Sequence, residues 1–110
     1  MTHRHNLRPL LEPKSIAVVG ASSNLNRTGG RPIKLLLDYD FEGPIYPINP
    51  NRDEIGGLKS YPDIASLPET PELVLFCTPR ENNAEAMRAC AARGVGAAAV
   101  MSSGYAEVDE

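Results

Sequence analysis

The chain has 110 residues, of which 42% are hydrophobic and 23% charged, and its formal net charge is −3. Such a chain can form one small globular domain at most, and it has no broad basic surface to attract nucleic acid. Its apolar runs are far shorter than the roughly 20 residues that cross a bilayer, and its polar N-terminus lacks the features of a signal peptide. We therefore expect a cytoplasmic protein with neither a nucleic-acid nor a membrane partner.

The first predicted elements are a strand and a helix. Ser15–Gly20 is a continuously apolar, β-branched run, which is typical of a strand buried on both faces. A polar, glycine-bearing loop separates it from Arg31–Asp40, which predicts a helix. This helix would bury one apolar stripe, formed by Ile33, Leu36 and Leu37.

The remainder of the chain continues the alternation of strands and helices. Pro44–Ile48 predicts a second strand, and its two prolines, each lacking a ladder donor, indicate a short strand or one near an edge. The later elements are a connector at Asp53–Leu67 with a helical turn around Ile64–Leu67, a strand at Leu73–Cys77, a helix at Ala84–Arg93 and a strand at Ala97–Met101. This alternation predicts an α/β, Rossmann-like fold with a mostly parallel sheet.

The predicted elements also define the extent of the domain. Residues 1–9 precede the first strand and are expected to be a flexible lead-in, whereas residues 10–110 form the Rossmann-like domain. The chain stops just beyond the last predicted strand, with no further helix or strand to cover the sheet. We therefore expect a truncated domain, the N-terminal fragment of a longer protein.

Four loops follow the four main strands, and a parallel sheet places all of them on one rim, where open α/β sheets bind ligands. The loops are Gly20-Ala21-Ser22-Ser23, Asn49-Pro50-Asn51, Thr78-Pro79-Arg80 and Ser102-Ser103-Gly104. They offer small side chains, hydroxyls, amides and backbone N–H groups, but no carboxylate or histidine suited to acid–base catalysis. The composition predicts a binding rim without catalytic residues.

The first of these loops has the composition of an anion site. Gly20 permits a tight turn after the strand, and Gly29 and Gly30 lead into the predicted helix. Free backbone amides at a helix N-terminus, together with the helix dipole, attract phosphate without any formal charge. Arg27 can add a positive charge. We favour a phosphate or diphosphate site over the alternative that these glycines only make a turn.

The loop sequences distinguish between nucleotide classes. The dinucleotide pattern G-x-G-x-x-G is absent, and so is the acidic residue that NAD enzymes place after the second strand. Asn49, Pro50, Asn51 and Arg52 stand there instead, which fits a ligand with a ribose phosphate better than NAD. A Walker motif is also absent. An NADP-like ligand remains open.

The cysteines and histidines do not form a metal or redox motif. Cys77 ends an apolar run and Cys90 lies in an alanine-rich helix, so both read as small buried side chains in a reducing compartment. His3 and His5 lie in the N-terminal tail and are expected to be solvated, because a metal site needs more ligands than a His-x-His pair supplies.

Several segments occur in the order in which a known family has them. They are Leu10–Ser22, Phe41–Pro50, Gly56–Pro62, Leu67-Pro68, Thr78-Pro79 and Ser103–Tyr105. By these motifs the chain resembles the CoA-binding domain of ADP-forming acyl-CoA synthetases, which are relatives of the succinyl-CoA synthetase α subunit. The resemblance extends from Leu10 to Glu107.

The resemblance implies a role for each rim loop. The CoA diphosphate would be held by Gly20, Ala21, Ser22, Gly29 and Gly30, and the adenosine and its ribose phosphate would lie by Asn49, Pro50, Asn51 and Arg52. Thr78 and Pro79 would line the pantetheine path, and Ser103 and Gly104 would lie near the thiol. The family often has Lys directly after the Asn-Pro pair, whereas here Asn51 precedes Arg52, which leaves the basic contact to the ribose phosphate open.

Three functional interpretations follow. The first is the CoA-binding part of an acid–CoA ligase, with ATP, Mg²⁺ and the phosphohistidine in missing domains or a partner subunit, as the resemblance implies. The second is a stand-alone, non-catalytic CoA-binding module, and the third an NAD(P)-dependent oxidoreductase fragment. The carboxylic acid that would be activated stays open, and an oligomer is compatible with the sequence.

Overall fold

The computed structural model describes residues 12–22, 24, 29–77 and 84–100. Its elements in chain order are β1 (Ile16–Val19), α1 (Arg31–Asp38), β2 (Ile45–Ile48), β3 (Glu54–Ile55), β4 (Leu58–Lys59), a 3₁₀ helix (Ile64–Ser66), β5 (Leu73–Phe76), α2 (Ala84–Arg93) and β6 (Ala97–Val100). Four of the strands form a sheet in the order β2-β1-β5-β6, and all of its neighbouring pairs are parallel. The predicted α/β fold with a parallel sheet is confirmed.

The two helices cover opposite faces of the sheet. From β1 the chain moves to β2 on one side, and from β5 it moves to β6 on the other. Because such crossovers are right-handed, the two opposite steps place α1 and α2 on different faces. Accordingly, Ile33 of α1 belongs to one core cluster with Val18, and Cys90 of α2 belongs to the other with Val19.

Smaller elements complete the cover of each face. Ile55, in the hairpin formed by β3 and β4, is 1% exposed and joins the cluster on the α1 face. Ile64 and Leu67, in and just after the 3₁₀ helix, join the cluster on the α2 face. Strand β6 lies at the edge of the sheet with Val100 exposed, in contrast to the fully buried β1.

Strand β2 can contain Pro47 because the backbone N and carbonyl of this residue lie on the side of the strand that faces away from β1. The backbone N–H groups of Ile16 and Gly20 donate to Pro44 and Ile48, on the side that faces β1. The carbonyl of Pro47 faces the other way and accepts from the N–H of Tyr61 at 2.9 Å. The missing N–H of Pro47 therefore removes nothing from the ladder with β1, and the predicted edge position of this strand is confirmed.

The structure corrects two local predictions. Helix α1 ends at Asp38 rather than Asp40, and Leu37 is exposed instead of lying on the buried stripe. The N–H of Phe41 donates to the carbonyl of Leu36 at 2.9 Å as the chain turns, and Phe41 packs against the core cluster on this face.

The connector after β2 also contains a hairpin that was not predicted. Gly56 and Gly57, with φ values of 61° and 83°, form its turn between β3 and β4. A two-residue turn with left-handed backbone at both positions favours this Gly-Gly pair. The predicted helical turn around Ile64–Leu67 is confirmed as the 3₁₀ helix. In the part of the chain that the structure describes, no helix has the length and apolarity to cross a membrane.

Candidate functional site

The strand order reverses beside β1. The chain leaves β1 for β2 on one side, and β5 continues to β6 on the other. Loops at the carboxyl ends of β1 and β5 therefore diverge, which opens a crevice where open α/β sheets bind ligands. The structure describes the loop after β2 in full and parts of the loop after β1, whereas the predicted site residues Arg27, Thr78, Pro79, Ser103 and Gly104 lie outside the described residues.

The loop after β1 folds back tightly on the sheet. Gly20 has a φ of 82°, a left-handed conformation that favours glycine. Its N–H donates to the carbonyl of Ile48 at 3.1 Å, and the N–H of Ala21 donates to the same oxygen at 3.2 Å. The N–H of Ser22 then donates to Gly29 at 3.2 Å, which closes the loop just before α1. The predicted tight turn at Gly20 is confirmed.

Gly29 and Gly30 shape the junction of this loop with α1. A Cβ atom on Gly29 would lie 2.2 Å from the carbonyl oxygen of Gly20, so only glycine fits there without displacement. Gly30 is the N-cap of α1, and no described side chain hydrogen-bonds to the cap. The positive end of a helix dipole favours a nearby anion, so this junction is suited to an anionic ligand.

Burial divides the predicted residues of this loop into two groups. Gly20 and Ser22 are partly exposed and can face a ligand. Ala21, Gly29 and Gly30 are buried.

Asn49 joins the first loop to the second. Its Nδ2 donates to the carbonyl of Ala21 at 2.9 Å, across 28 positions of the chain. Its Oδ1 accepts from the N–H of Asn51 at 2.8 Å, and its own N–H donates to Tyr61 at 2.9 Å. Both ends of the amide have protein partners, so Asn49 forms a brace between the loops.

The other predicted residues of the second loop face solvent. Pro50, Asn51 and Arg52 are exposed, and the N–H of Arg52 donates to the carbonyl of Asn49 at 3.3 Å. The buried hydroxyl of Ser60 lies 3.4 Å from the carbonyl oxygens of both Pro47 and Asn49, which adds a further support beneath the loop.

A cleft of about 530 Å³ opens at the same rim, and we call it the rim cleft. Its lining comes from the ends of β1 and β2, from the 3₁₀ segment and from the first turns of α2: Val19, Gly20, Ile48, Pro50, Pro62, Asp63, Ile64, Ala65, Glu85, Ala86 and Ala89. The lining is largely apolar, with carboxylates at Asp63 and Glu85. Ligand sites of proteins commonly combine an apolar surface with a few polar groups in this way.

Sequence reasoning found one edge of this cleft and missed the rest. Gly20 and Pro50 were predicted site residues, whereas Pro62–Ala65 and the α2 residues were not. The predicted helical turn around Ile64 was a signal for one wall. The helical turn approaches α2 because Ile64 and Leu67 pack in one core cluster with Cys90. No local sequence pattern specifies this packing.

The two cysteine thiols are poorly suited to nucleophilic chemistry. Cys77 follows β5, where its N–H donates to Val19 at 2.8 Å, and burial raises the pKa of its thiol to about 11. Burial also raises the pKa of the Cys90 thiol. Both cysteines are free and buried, as predicted. Among the described residues, no group of three or more His, Cys, Asp and Glu side chains is arranged to hold a metal ion.

Two longer synthetases are similar to this chain in sequence. Trans-feruloyl-CoA synthase FCS1 from an unknown prokaryotic organism is 43% identical over 101 residues, which cover 92% of this chain and 14% of the relative. Acetate–CoA ligase [ADP-forming] II of Archaeoglobus fulgidus is 39% identical over 105 residues, which cover 96% of this chain and 16% of the relative. The chain thus spans less than a fifth of either relative.

Two solved structures share this fold, one of a much longer chain and one of a short chain. The dinucleotide forming acetyl-coenzyme A synthetase 1 of Ca. Korarchaeum cryptofilum, in its apo form, matches with a TM-score of 0.83 and 38% identity over 93% of this chain and 22% of its own. A conserved hypothetical protein of Pyrococcus furiosus matches with a TM-score of 0.63 and 28% identity over 81% of this chain and 94% of its own.

The family of the chain follows from a match that covers most of its length. Residues 14–109 match the family model described as CoA binding domain. The match includes the glycine loop after β1, the brace at Asn49 and the whole rim cleft. The chain therefore belongs to the CoA-binding domain family.

Proposed function

We propose that this chain supplies the CoA platform of an ADP-forming acyl-CoA synthetase. It would hold CoA while other domains or a partner subunit, using ATP and Mg²⁺, carry out the acyl phosphate and phosphohistidine steps. The observation that carries this proposal is the rim cleft beside a closed glycine loop, in a chain similar to the amino-acid sequences of longer CoA ligases.

The diphosphate of CoA would lie at the loop after β1. The chain has a net charge of −3 and cannot rely on a basic field, so the anion must be held by local donors. Backbone around Gly20 and Ser22 is partly exposed, and the positive end of α1 begins at Gly30. Ala21 and Gly29, together with the brace at Asn49, would keep this loop in its binding shape.

The adenosine side of CoA would lie toward the second loop. Pro50 lines the rim cleft, and the exposed Asn51 and Arg52 follow it. An arginine there can pair with the ribose phosphate through its planar, always charged guanidinium group. The fit of an adenosine group is supported by the apolar surface of the cleft, which has room for a planar base.

The pantetheine arm and the thiol complete the proposed site. Following the family resemblance, we propose that Thr78 and Pro79 line the arm, that Ser103 and Gly104 lie near the thiol, and that Arg27 assists at the diphosphate. The carboxylates of Asp63 and Glu85 also line the rim cleft, and we assign them no part in the proposed binding of CoA.

A stand-alone CoA-binding module is the second candidate. It is favoured by the Pyrococcus furiosus protein, because the matched region makes up 94% of that solved chain. For either candidate we also propose a reducing, cytoplasmic setting, which the two free, buried thiols support.

One experiment separates the two candidates. The complete reading frame that encodes this chain is expressed, and release of ADP from ATP is measured with CoA and a panel of carboxylic acids. ADP release that requires both CoA and an acid supports the ligase. A reading frame that ends at Glu110, with a product that binds CoA but releases no ADP, supports the stand-alone module.

A further inference from the structure

Arg93 joins the end of α2 to the 3₁₀ helix. It is the last residue of α2 and is half-buried. Its Nη1 donates to the carbonyl of Ile64 at 2.9 Å and to that of Leu67 at 3.0 Å. The hydroxyl of Thr70 in turn donates to the carbonyl of Arg93 at 3.3 Å. The backbone carbonyl of Arg93 therefore binds Thr70, and its guanidinium group binds the segment Ile64–Leu67.

The segment that Arg93 holds is one wall of the rim cleft. Pro62–Ala65 line the cleft on that side, and Glu85, Ala86 and Ala89 line it on the side of α2. Helix α2 therefore contributes lining residues from its first turns and binds another lining segment through its last residue. Arg93 itself is not among the residues that line the cleft.

The 3₁₀ helix has local hydrogen bonds, but these do not attach it to α2. Oδ1 of Asp63 accepts from the N–H of Ser66 at 2.9 Å and from its hydroxyl at 2.7 Å, which caps the turn. Apolar packing of Ile64 against Cys90 brings the turn toward α2 without fixing its direction. The two bonds from Arg93 add direction, because a hydrogen bond requires a defined donor–acceptor geometry.

Arginine suits this position for electrostatic and geometric reasons. Its guanidinium group is always charged and presents several N–H donors in a rigid plane, so one side chain can reach two carbonyl groups. The carbonyl end of α2 also attracts a cation in the last turn. Lysine would keep the charge but would offer a point donor on a flexible stem.

We propose that Arg93 is a positioning residue for CoA, which fixes the distance between the two walls of the rim cleft without touching the ligand. This inference rests on the proposed function, because it assumes that part of CoA enters the cleft. It predicts that a change at Arg93 weakens the binding of CoA and leaves the anion site at the loop after β1 intact, since that site is built by the backbone of Gly20 and Gly29, whereas Arg93 hydrogen-bonds to Ile64 and Leu67.

The test compares three variants of the 110-residue chain by calorimetric titration with CoA. Arg93→Met keeps an unbranched apolar stem but loses both hydrogen bonds, and it should bind CoA about tenfold more weakly, as expected for the loss of charge-assisted bonds. Arg93→Lys should recover part of this loss. Arg88→Met, an exposed position on the same helix, is the matched control and should bind CoA like the unchanged chain.

A second ligand distinguishes positioning from general damage. Binding of inorganic pyrophosphate is followed through the NMR signals of the Gly20 and Ser22 amides, and it should be the same in Arg93→Met and the unchanged chain. Equal losses for pyrophosphate and CoA would overturn the inference, and so would unchanged CoA affinity in folded Arg93→Met.

If Arg93→Met does not fold, the CoA affinity of Arg93→Lys is the deciding measurement. A CoA affinity equal to that of the unchanged chain in this variant contradicts the inference. Failure of the unchanged, folded chain to bind CoA overturns the proposed function itself and this inference with it.

Discussion

A Cβ atom on Gly29 would lie 2.2 Å from the carbonyl oxygen of Gly20, so these two residues pack backbone against backbone. The contact brings the start of α1 against the turn that follows β1. It also allows the N–H of Ser22 to donate to the carbonyl of Gly29 at 3.2 Å. The proposed diphosphate site thus depends on the absence of a side chain at a residue that is itself buried.

Replacement of Gly29 by alanine tests this dependence. The added methyl group has no room unless the loop shifts, so we expect a loss of about 1–3 kcal/mol in the free energy of unfolding and weaker CoA binding. Gly57→Ala is the matched control: its φ of 83° makes alanine unfavourable, but nothing lies within 4 Å of the added atom. That control should lose stability and keep its CoA affinity in denaturation and titration experiments. Unchanged stability and CoA affinity in Gly29→Ala would contradict the close approach.

Asn49 is predicted to contribute more to the shape of the site than to direct contact with CoA. Asn49→Ala removes the bonds to Ala21 and Asn51, which should lower the free energy of unfolding by about 1–3 kcal/mol. Asn49→Asp should be no better, because it places an oxygen against the carbonyl of Ala21. Chemical denaturation measures both effects. An aspartate variant as stable as the unchanged chain would argue against the Asn49–Ala21 bond.

Arg52 is the proposed partner of the ribose phosphate. Arg52→Ala should weaken the binding of CoA more than that of dephospho-CoA, which lacks that phosphate, because only the former loses an ionic contact. Lys59→Ala serves as the control, since Lys59 is also exposed and its Nζ lies 5.2 Å from the ring centroid of Tyr61. Equal losses for the two ligands in Arg52→Ala would move the phosphate contact to another residue.

The Cys77 thiol gives a prediction for alkaline pH. Its pKa is raised by burial from 9.0 to about 11, so the folded protein keeps the proton where the unfolded chain loses it. Stability from this group is complete below pH 9 and is lost as the pH rises from 9 toward 11. Cys77→Ala should therefore show a smaller fall in unfolding free energy across that interval. Identical pH profiles for the two proteins would contradict the raised pKa.

Much of the fold was predictable because its signals are local. The apolar runs at β1 and β5 and the helical pattern at Ala84–Arg93 each lie within one short segment, and the structure has strands and a helix there. The tight turn at Gly20 was predictable for the same reason, since a glycine directly after a buried strand indicates left-handed backbone. The Gly56-Gly57 pair of the hairpin is a local signal of the same kind, since two glycines between short strands indicate a two-residue turn.

The remaining features depend on residues that are distant in the chain. The Asn49–Ala21 bond spans 28 positions and the Arg93–Ile64 bond spans 29. Nothing near Asn49 indicates that its amide supports a neighbouring loop, and nothing near Arg93 indicates that it holds a wall of the cleft. Such roles follow from the way the two faces of the sheet are covered, which strand and helix patterns do not specify.

Calorimetric titration of the folded chain with CoA, NAD and NADP tests whether CoA binds at the rim beside the loop after β1. We expect CoA to bind in preference to both dinucleotides, and we expect Gly20→Val, which places a branched side chain at a φ of 82° beside the diphosphate, to lose this binding. Absence of CoA binding by the folded chain, or unchanged CoA affinity in a folded Gly20→Val protein, would contradict CoA binding at this rim.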